Sequence, residues 1–169
     1  MSGPHAILIV DDDEADREIM ALVLNAAFPA AEVERASAGA VAKARCEARA
    51  FDCVIIDYSL PDIDGVKLTA ELRSVHAYLP VIVISSVGDE MLVAAALRAG
   101  ASDYMPKSRL TAESVRRAVD RAINVSAQGR VIEEQRGELE NFAYALAHDF
   151  KQPIRQITTF TQLISEGMR

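Results

Sequence analysis

Asp57 closes the apolar run Cys53-Val-Ile-Ile and opens into Tyr-Ser-Leu-Pro-Asp-Ile-Asp-Gly. A carboxylate at the carboxyl end of a buried strand, leading into a Pro/Gly loop, sits where open α/β sheets do their chemistry. Three other apolar runs end in polar groups: Ile7–Val10 in Asp11-Asp12-Asp13, Val81–Ile84 in Ser85-Ser86, and Asp103–Pro106 in Lys107. If these runs are parallel neighbours, their ends converge on one rim, with acids between a hydroxyl and an ammonium. Asp11, Asp12 and Asp57 held that close repel one another and raise their own pKa values unless a cation is present. Oxygen-only ligands favour a hard cation, and an open site of two or three carboxylates suits Mg²⁺. Such an ion compensates the acids and can neutralise phosphoryl oxygens during in-line transfer to a carboxylate. Lys107 would then hold a phosphoryl oxygen as a point charge and Ser85 would donate a hydrogen bond to another. Asp57 would be the nucleophile, forming an acyl phosphate. Asp13 and Asp16 read instead as helix caps and solvated turns.

The elements that must position these groups follow from periodicity. Strand patterns fall near 5–10, 32–37, 52–57, 80–85 and 102–105, and helical patterns near 14–27, 39–49, 65–75, 89–99 and 111–126. In the first helix Ile19, Leu22, Val23 and Ala26 form one apolar stripe; in the last, Val115, Ala118, Val119, Ala122 and Ile123 do so. Thr111 or Ser108 could cap the last helix, and Gly100 stands where a helix-ending C′ glycine belongs. Strands 1, 3 and 4 are continuous apolar runs, as expected when helices cover both faces of the sheet. Crossovers of this length require parallel pairing with right-handed connections. The expected architecture is an α/β domain over 1–126, a five-stranded doubly wound parallel sheet.

Composition bounds the rest. Half of the 169 residues are hydrophobic and 25% are charged, enough apolar material for a real core. A net charge of −7 argues against a nucleic-acid surface or an anionic membrane as partner. No apolar run approaches the roughly 18 residues needed to span a bilayer. Only Ile7–Val10 precede the three aspartates, so no secretory signal is expected. Cys46 and Cys53 fit no metal spacing and read as reduced residues of a cytoplasmic protein.

Val10-Asp11-Asp12, Asp57-Tyr-Ser-Leu-Pro-Asp-Ile-Asp-Gly65, Pro80-Val-Ile-Val-Ile-Ser85-Ser86 and Gly100-Ala-Ser-Asp-Tyr-Met-Pro-Lys107 together resemble the response-regulator receiver domain of two-component signalling, over residues 5–125. The resemblance implies a flavodoxin-like fold with Asp57 as phosphoacceptor. It implies that Asp11, Asp12, Asp57 and the backbone carbonyl of Ser59 hold Mg²⁺. Ser85 would be the switch hydroxyl, Tyr104 the aromatic that follows it, and Lys107 the partner of the phosphate. The phosphodonor would be a histidine kinase or phosphotransfer protein. One departure stands out: most receivers place a proline directly after the lysine, whereas here Pro106 precedes Lys107 and Ser108 follows it.

Beyond Ile123 the chain changes character. Residues 126–141 are polar and strand-free, and Gly129 and Gly137 each cost a helix about 1 kcal/mol against Ala. A new helical period then runs through Leu139, Phe142, Leu146, Phe150, Ile154, Ile157, Thr161 and Ile164. One helix cannot bury such a stripe alone, so a coiled-coil-like partner is expected, either a second copy or further sequence. His148 lies about 200° from Leu146 and Phe150 at 100° per residue and so faces away from the stripe. That leaves a solvated histidine or a reactive one, with Asp149 beside it to orient the ring or take a proton. Glu140-Asn-Phe-Ala-Tyr-Ala-Leu-Ala-His148-Asp149-Phe-Lys-Gln-Pro153-Ile-Arg155 resembles the phosphoacceptor helix of histidine kinase dimerisation domains. By that resemblance His148 is a second phosphoacceptor, Asp149 its acidic neighbour and Pro153 a helix-bending residue. The implied organisation is a receiver over 1–126, a helical signalling linker over 127–138 and an incomplete dimerisation helix over 139–169, paired as a homodimer. No asparagine- or glycine-rich ATP-binding box occurs up to Arg169, so no kinase reaction is expected of this chain alone. The rival expectation is a stand-alone regulator whose tail only dimerises it, with His148 inert. An Asp-x-Asp-x-Thr phosphatase pattern is not met, because the first acids read Asp11-Asp-Asp-Glu-Ala-Asp.

Overall fold

The computed structural model describes residues 5–168. Its elements in chain order are β1 (Ala6–Val10), α1 (Glu14–Ala27), β2 (Glu32–Ala36), α2 (Gly39–Ala48), β3 (Cys53–Asp57), α3 (Gly65–Val75), β4 (Val81–Ser85), α4 (Glu90–Arg98), β5 (Asp103–Pro106), a 3-10 turn (Lys107–Arg109) and α5 (Ala112–Gly167). The five strands pair in parallel in the order β2-β1-β3-β4-β5. This is the expected doubly wound sheet, and the chain reverses direction of winding at β1, beside β3. By contact the chain separates into a unit ending at Gln128 and a second beginning at Gly129.

Alternation along the strands divides the core between two faces. Ile7, Ile9, Cys53, Ile55, Ile82 and Ile84 pack with Met20 and Leu24 of α1 and with Val115, Ala118, Val119 and Ala122 of α5. On the opposite face Leu8, Val10, Val54 and Ile56 meet Ala42 and Cys46 of α2 and Leu68 and Leu72 of α3. Burial pushes the Cys53 thiol up to about 12 and the Cys46 thiol up to about 11. Both cysteines are therefore neutral core residues, with no disulfide between them.

Most element ends fall within a residue of the sequence reading, but one reading needs correction. The apolar stripe of α1 is not Ile19, Leu22, Val23 and Ala26. Ile19 and Leu22 are 55% and 68% exposed, Ala26 is exposed, and Val23 is half-buried. The buried side consists of Met20, Ala21, Leu24 and Ala27. Residues 19–24 are apolar all the way round, so period alone leaves the helix free to rotate. What fixes the rotation is polar: Arg17 Nη1 donates to the carbonyls of Asp11 and Asp12 at 2.7 and 2.9 Å, and Asp16 reaches Lys107.

The last helix runs from Ala112 to Gly167, joining the helical pattern at 111–126 to the helical extension expected beyond it. Both Gly129 and Gly137 lie inside it, their cost offset by the Arg, Glu, Gln, Ala and Leu around them. Pro153 also lies within the helix. Of the two candidate caps, Thr111 takes the role: its Oγ1 accepts the Ser114 N–H at 3.1 Å. Gly100 ends α4 at φ +100°, a left-handed conformation suited to glycine. Among the described residues no helix is long and apolar enough to cross a membrane.

Candidate functional site

Parallel register brings the strand ends to one rim. Val10 is paired with Ile56 and Asp57 with Ile84, so Asp11 and Asp57 emerge side by side. One carboxylate oxygen from each of Asp11, Asp12 and Asp57 lies within 4.8 Å of the other two. Asp11 and Asp57 are buried, at 2% and 5% exposure, while Asp12 faces solvent. Burial first, and then the charge of Asp11, raise the Asp57 carboxyl above the usual carboxylate range, with Lys107 and the Ser59 backbone opposing. Three convergent oxygen donors with an excess of negative charge form a set that could hold a hard divalent cation.

Lys107 balances the acids from the start of the 3-10 turn that follows β5. Its Nζ lies 2.8 Å from Asp11 Oδ2, 2.6 Å from Asp16 Oδ2 and 3.3 Å from Asp57 Oδ1. Burial alone would lower the ammonium pKa, but the bonds to Asp11 and Asp16 and the charge of Asp57 outweigh it, and the net shift is upward. Lys107 is therefore a permanent cation at the rim.

The loops that carry these groups are held closely. After Asp57 the chain turns through Tyr58, whose N–H donates to Ile84 O at 2.9 Å and whose carbonyl accepts the Gly65 N–H at 2.8 Å. Ser59 and Asp64 form an isolated bridge across the loop, and Ser59 itself is exposed. A Cβ at Gly65 would stand 2.6 Å from the Asp57 carbonyl oxygen and 2.9 Å from Tyr58 Cα, so only glycine lets α3 start there. Asp64 caps α3 by accepting the Lys67 N–H at 2.8 Å. On β4 Ser85 is 2% exposed, and its Oγ accepts the Val87 N–H at 3.1 Å, leaving the hydroxyl proton free to donate. The half-buried Tyr104 donates its hydroxyl to the Val87 carbonyl. The N–H and the carbonyl of Val87 thus touch the two residues that the resemblance pairs as a switch.

Asp13 caps α1, accepting the Asp16 N–H at 3.1 Å, as expected. Asp16 is not a solvated cap: its carboxylate is the closest partner of Lys107. It and Arg17 are the site residues that sequence reasoning missed. Their spacing carried a signal, since residues one turn into a helix point back toward its N-terminus and thus toward the rim.

The other sequence-identified acceptor lies in the second unit. His148 and Asp149 are exposed, with His148 Nδ1 3.6 Å from Asp149 Oδ1. Around them Leu139, Phe142, Leu146, Phe150, Ile154, Ile157 and Ile164 are exposed at 40–67%.

The family model for the response regulator receiver domain matches residues 7–131. The chemotaxis protein CheY of Bacillus subtilis is 32% identical over 122 residues, 71% of this chain and 98% of that protein. Response regulator MprA of a Mycobacterium is 36% identical over 62% of this chain, and the cyclic di-GMP phosphodiesterase response regulator RpfG of Xanthomonas campestris is 28% identical over 89%. The chain spans only 44% and 40% of the lengths of those two relatives. Among solved structures, a response regulator from Chloroflexus aurantiacus superimposes with a TM-score of 0.64 at 34% identity, covering 73% of this chain and 98% of that one. With three quarters of its length matched and the acids, hydroxyl and lysine on one rim, this chain belongs to the response regulator receiver domain family.

Proposed function

We propose that the receiver accepts a phosphoryl group on Asp57 in a two-component phosphorelay. The observation that carries this reading is the convergence of Asp11, Asp12 and Asp57 beneath a lysine that is permanently charged. Asp11, Asp12 and Asp57, with the Ser59 carbonyl, would hold Mg²⁺; when bound, the ion offsets the carboxylates and the phosphoryl oxygens. An Asp57 Oδ forms the bond to phosphorus while the bond from phosphorus to the donor breaks, and the donor atom keeps the electron pair. Lys107 holds one phosphoryl oxygen by charge, and the free proton of Ser85 is available to a second. A histidine kinase or phosphotransfer protein supplies the group. Movement of Ser85 toward it withdraws the bond from the Val87 N–H, and Tyr104, bound to the carbonyl of the same residue, follows.

The second part of the reading concerns the output. The helix of the second unit is the first dimerisation helix of a histidine kinase, its stripe from Leu139 to Ile164 pairs with a second copy, and His148 is its phosphoacceptor with Asp149 orienting the ring. What supports this is the apolar stripe left exposed in one chain, with His148 at 66% side-chain exposure. Phosphorylation of Asp57 then biases the dimeric helix between two states. Such a protein works in the cytoplasm. A second reading makes the helix a dimerisation device alone, with His148 inert; it draws on the relatives, which are response regulators.

Incubation with acetyl phosphate and Mg²⁺ is expected to label Asp57, and Asp57→Asn to abolish the label; retained label would refute the assignment. Mixing the protein with a histidine kinase catalytic domain and ATP separates the two output readings. Acid-labile label on His148 supports the kinase reading, and its absence supports the inert one.

A further inference from the structure

Asp16 belongs by sequence with the helix-capping acids, yet its carboxylate is the nearest partner of the site lysine. Its Oδ2 lies 2.6 Å from Lys107 Nζ, against 2.8 Å for Asp11 and 3.3 Å for Asp57. An ammonium has three protons to donate. Two of them serve short bonds to Asp11 and Asp16, and the contact with Asp57 is the longest of the three. Asp11 is fixed where it is: it is buried and also accepts the Asp13 N–H at 2.9 Å. Asp16 differs. Its side chain is 41% exposed, it stands on the first turn of α1, and it is not one of the three converging carboxylates. It can release the lysine without leaving a buried charge unpaired, because water replaces the contact.

We infer that Asp16 is a positioning residue for phosphoryl acceptance at Asp57: it holds the Lys107 ammonium on the α1 side of the rim and competes with an incoming phosphoryl group for it. The inference rests on the reading of Asp57 given above. A phosphoryl group on Asp57 draws the Lys107 ammonium toward Asp57, and the short bond to Asp16 pulls it the other way. That competition slows acceptance, so a carboxylate placed here sets the threshold at which a donor can load the site. Asp16 forms and breaks no covalent bond. With acetyl phosphate the Asp57 Oδ–P bond forms, the P–O bond to the acetyl group breaks, and acetate leaves with the electron pair.

The test uses the full chain with Mg²⁺ and acetyl phosphate, label on Asp57 being followed by mass spectrometry. Wild type, Asp16→Asn and Asp16→Glu are compared, each with and without Lys107→Met. Asp16→Asn is expected to label about three- to fivefold faster than wild type, the scale of a partly exposed ion pair, and Asp16→Glu to return close to the wild-type rate. In the Lys107→Met background the gain disappears, because the competition has no object. In metal-free protein, NMR of the Lys107 ammonium is expected to show faster proton exchange with water in Asp16→Asn. Equal labelling rates with unchanged exchange would overturn the inference. So would a gain that survives Lys107→Met, which marks a general charge effect. Failure of the wild type to label would overturn the assignment of Asp57 instead, and the exchange measurement would still decide whether Asp16 tethers the lysine.

Discussion

The two units of this chain handle the same kind of residue in opposite ways. In the receiver, Ile7, Leu8, Ile9, Ile55 and Ile56 are at most 1% exposed, sealed between helices on both faces of the sheet. Beyond Gly129, residues of the same chemistry stand open: Phe142 is 61% exposed, Phe150 62% and Ile157 65%. The receiver's apolar residues are satisfied within one chain and fix its fold. The helix's apolar residues lie uncovered in the single chain, so under the proposed dimer their energy would go to association. On that reading stability and assembly are written in separate parts of the sequence and can be broken separately.

The largest effect is expected in the receiver core. Ile55→Ala should cost about 2–5 kcal/mol in urea unfolding, whereas Phe142→Ala in the isolated monomer should change it by less than about 0.5 kcal/mol. Comparable costs for the two would erase the contrast. Next, Phe142→Glu should shift sedimentation toward monomer, weakening self-association about 100-fold or more, with the receiver's unfolding midpoint unchanged. A monomeric wild type at high concentration would remove the basis of this prediction.

Asp57→Asn sharpens the comparison from the electrostatic side. The Asp57 carboxyl is raised, chiefly by burial, so the folded state prefers its protonated form. That preference stabilises the fold below the ordinary carboxylate pKa of about 4 and is lost as pH rises through the folded value. At neutral pH without divalent ions the ionised group is a burden, and Asp57→Asn should stabilise the receiver by about 1 kcal/mol. The gain should shrink with added Mg²⁺ and as pH falls; a destabilised variant at neutral pH would contradict the sign. The smallest effect is expected at Leu22→Ser on α1, within about 0.5 kcal/mol of wild type, because Leu22 is 68% exposed despite its apolar character. A loss of several kcal/mol there would restore the stripe read from sequence.

That last residue shows what was legible and what was not. The strands, their order of polar ends and the convergence of Asp11, Asp12, Asp57, Ser85 and Lys107 follow from continuous apolar runs and parallel crossovers. The face of α1 does not, because six consecutive apolar residues give periodicity nothing to choose between. Tertiary bonds from Asp16 and Arg17 make the choice, and they depend on groups 91 residues apart or on backbone carbonyls that no side-chain pattern reports. For the same reason the pocket's acids and hydroxyl could be named in advance, whereas the third partner of Lys107 could not. The helical extension past Ile123 was legible from its composition and period, and α5 runs through Gly129 and Gly137 because the flanking residues outweigh their cost.

The bare hydrogen of Gly65 has a mechanical consequence. Because a Cβ there would press on the Asp57 carbonyl oxygen and Tyr58 Cα, α3 and the end of β3 are keyed together, backbone against backbone. The opposite flank of Asp57 is loosely built. Gly88 in the β4–α4 loop has no atom within 4 Å of where a side chain would begin, and Val87 is held there by Ser85 and Tyr104. The α3 flank of Asp57 is thus packed backbone against backbone, whereas the β4–α4 loop on the other flank has open space at Gly88 and is the side with room to rearrange.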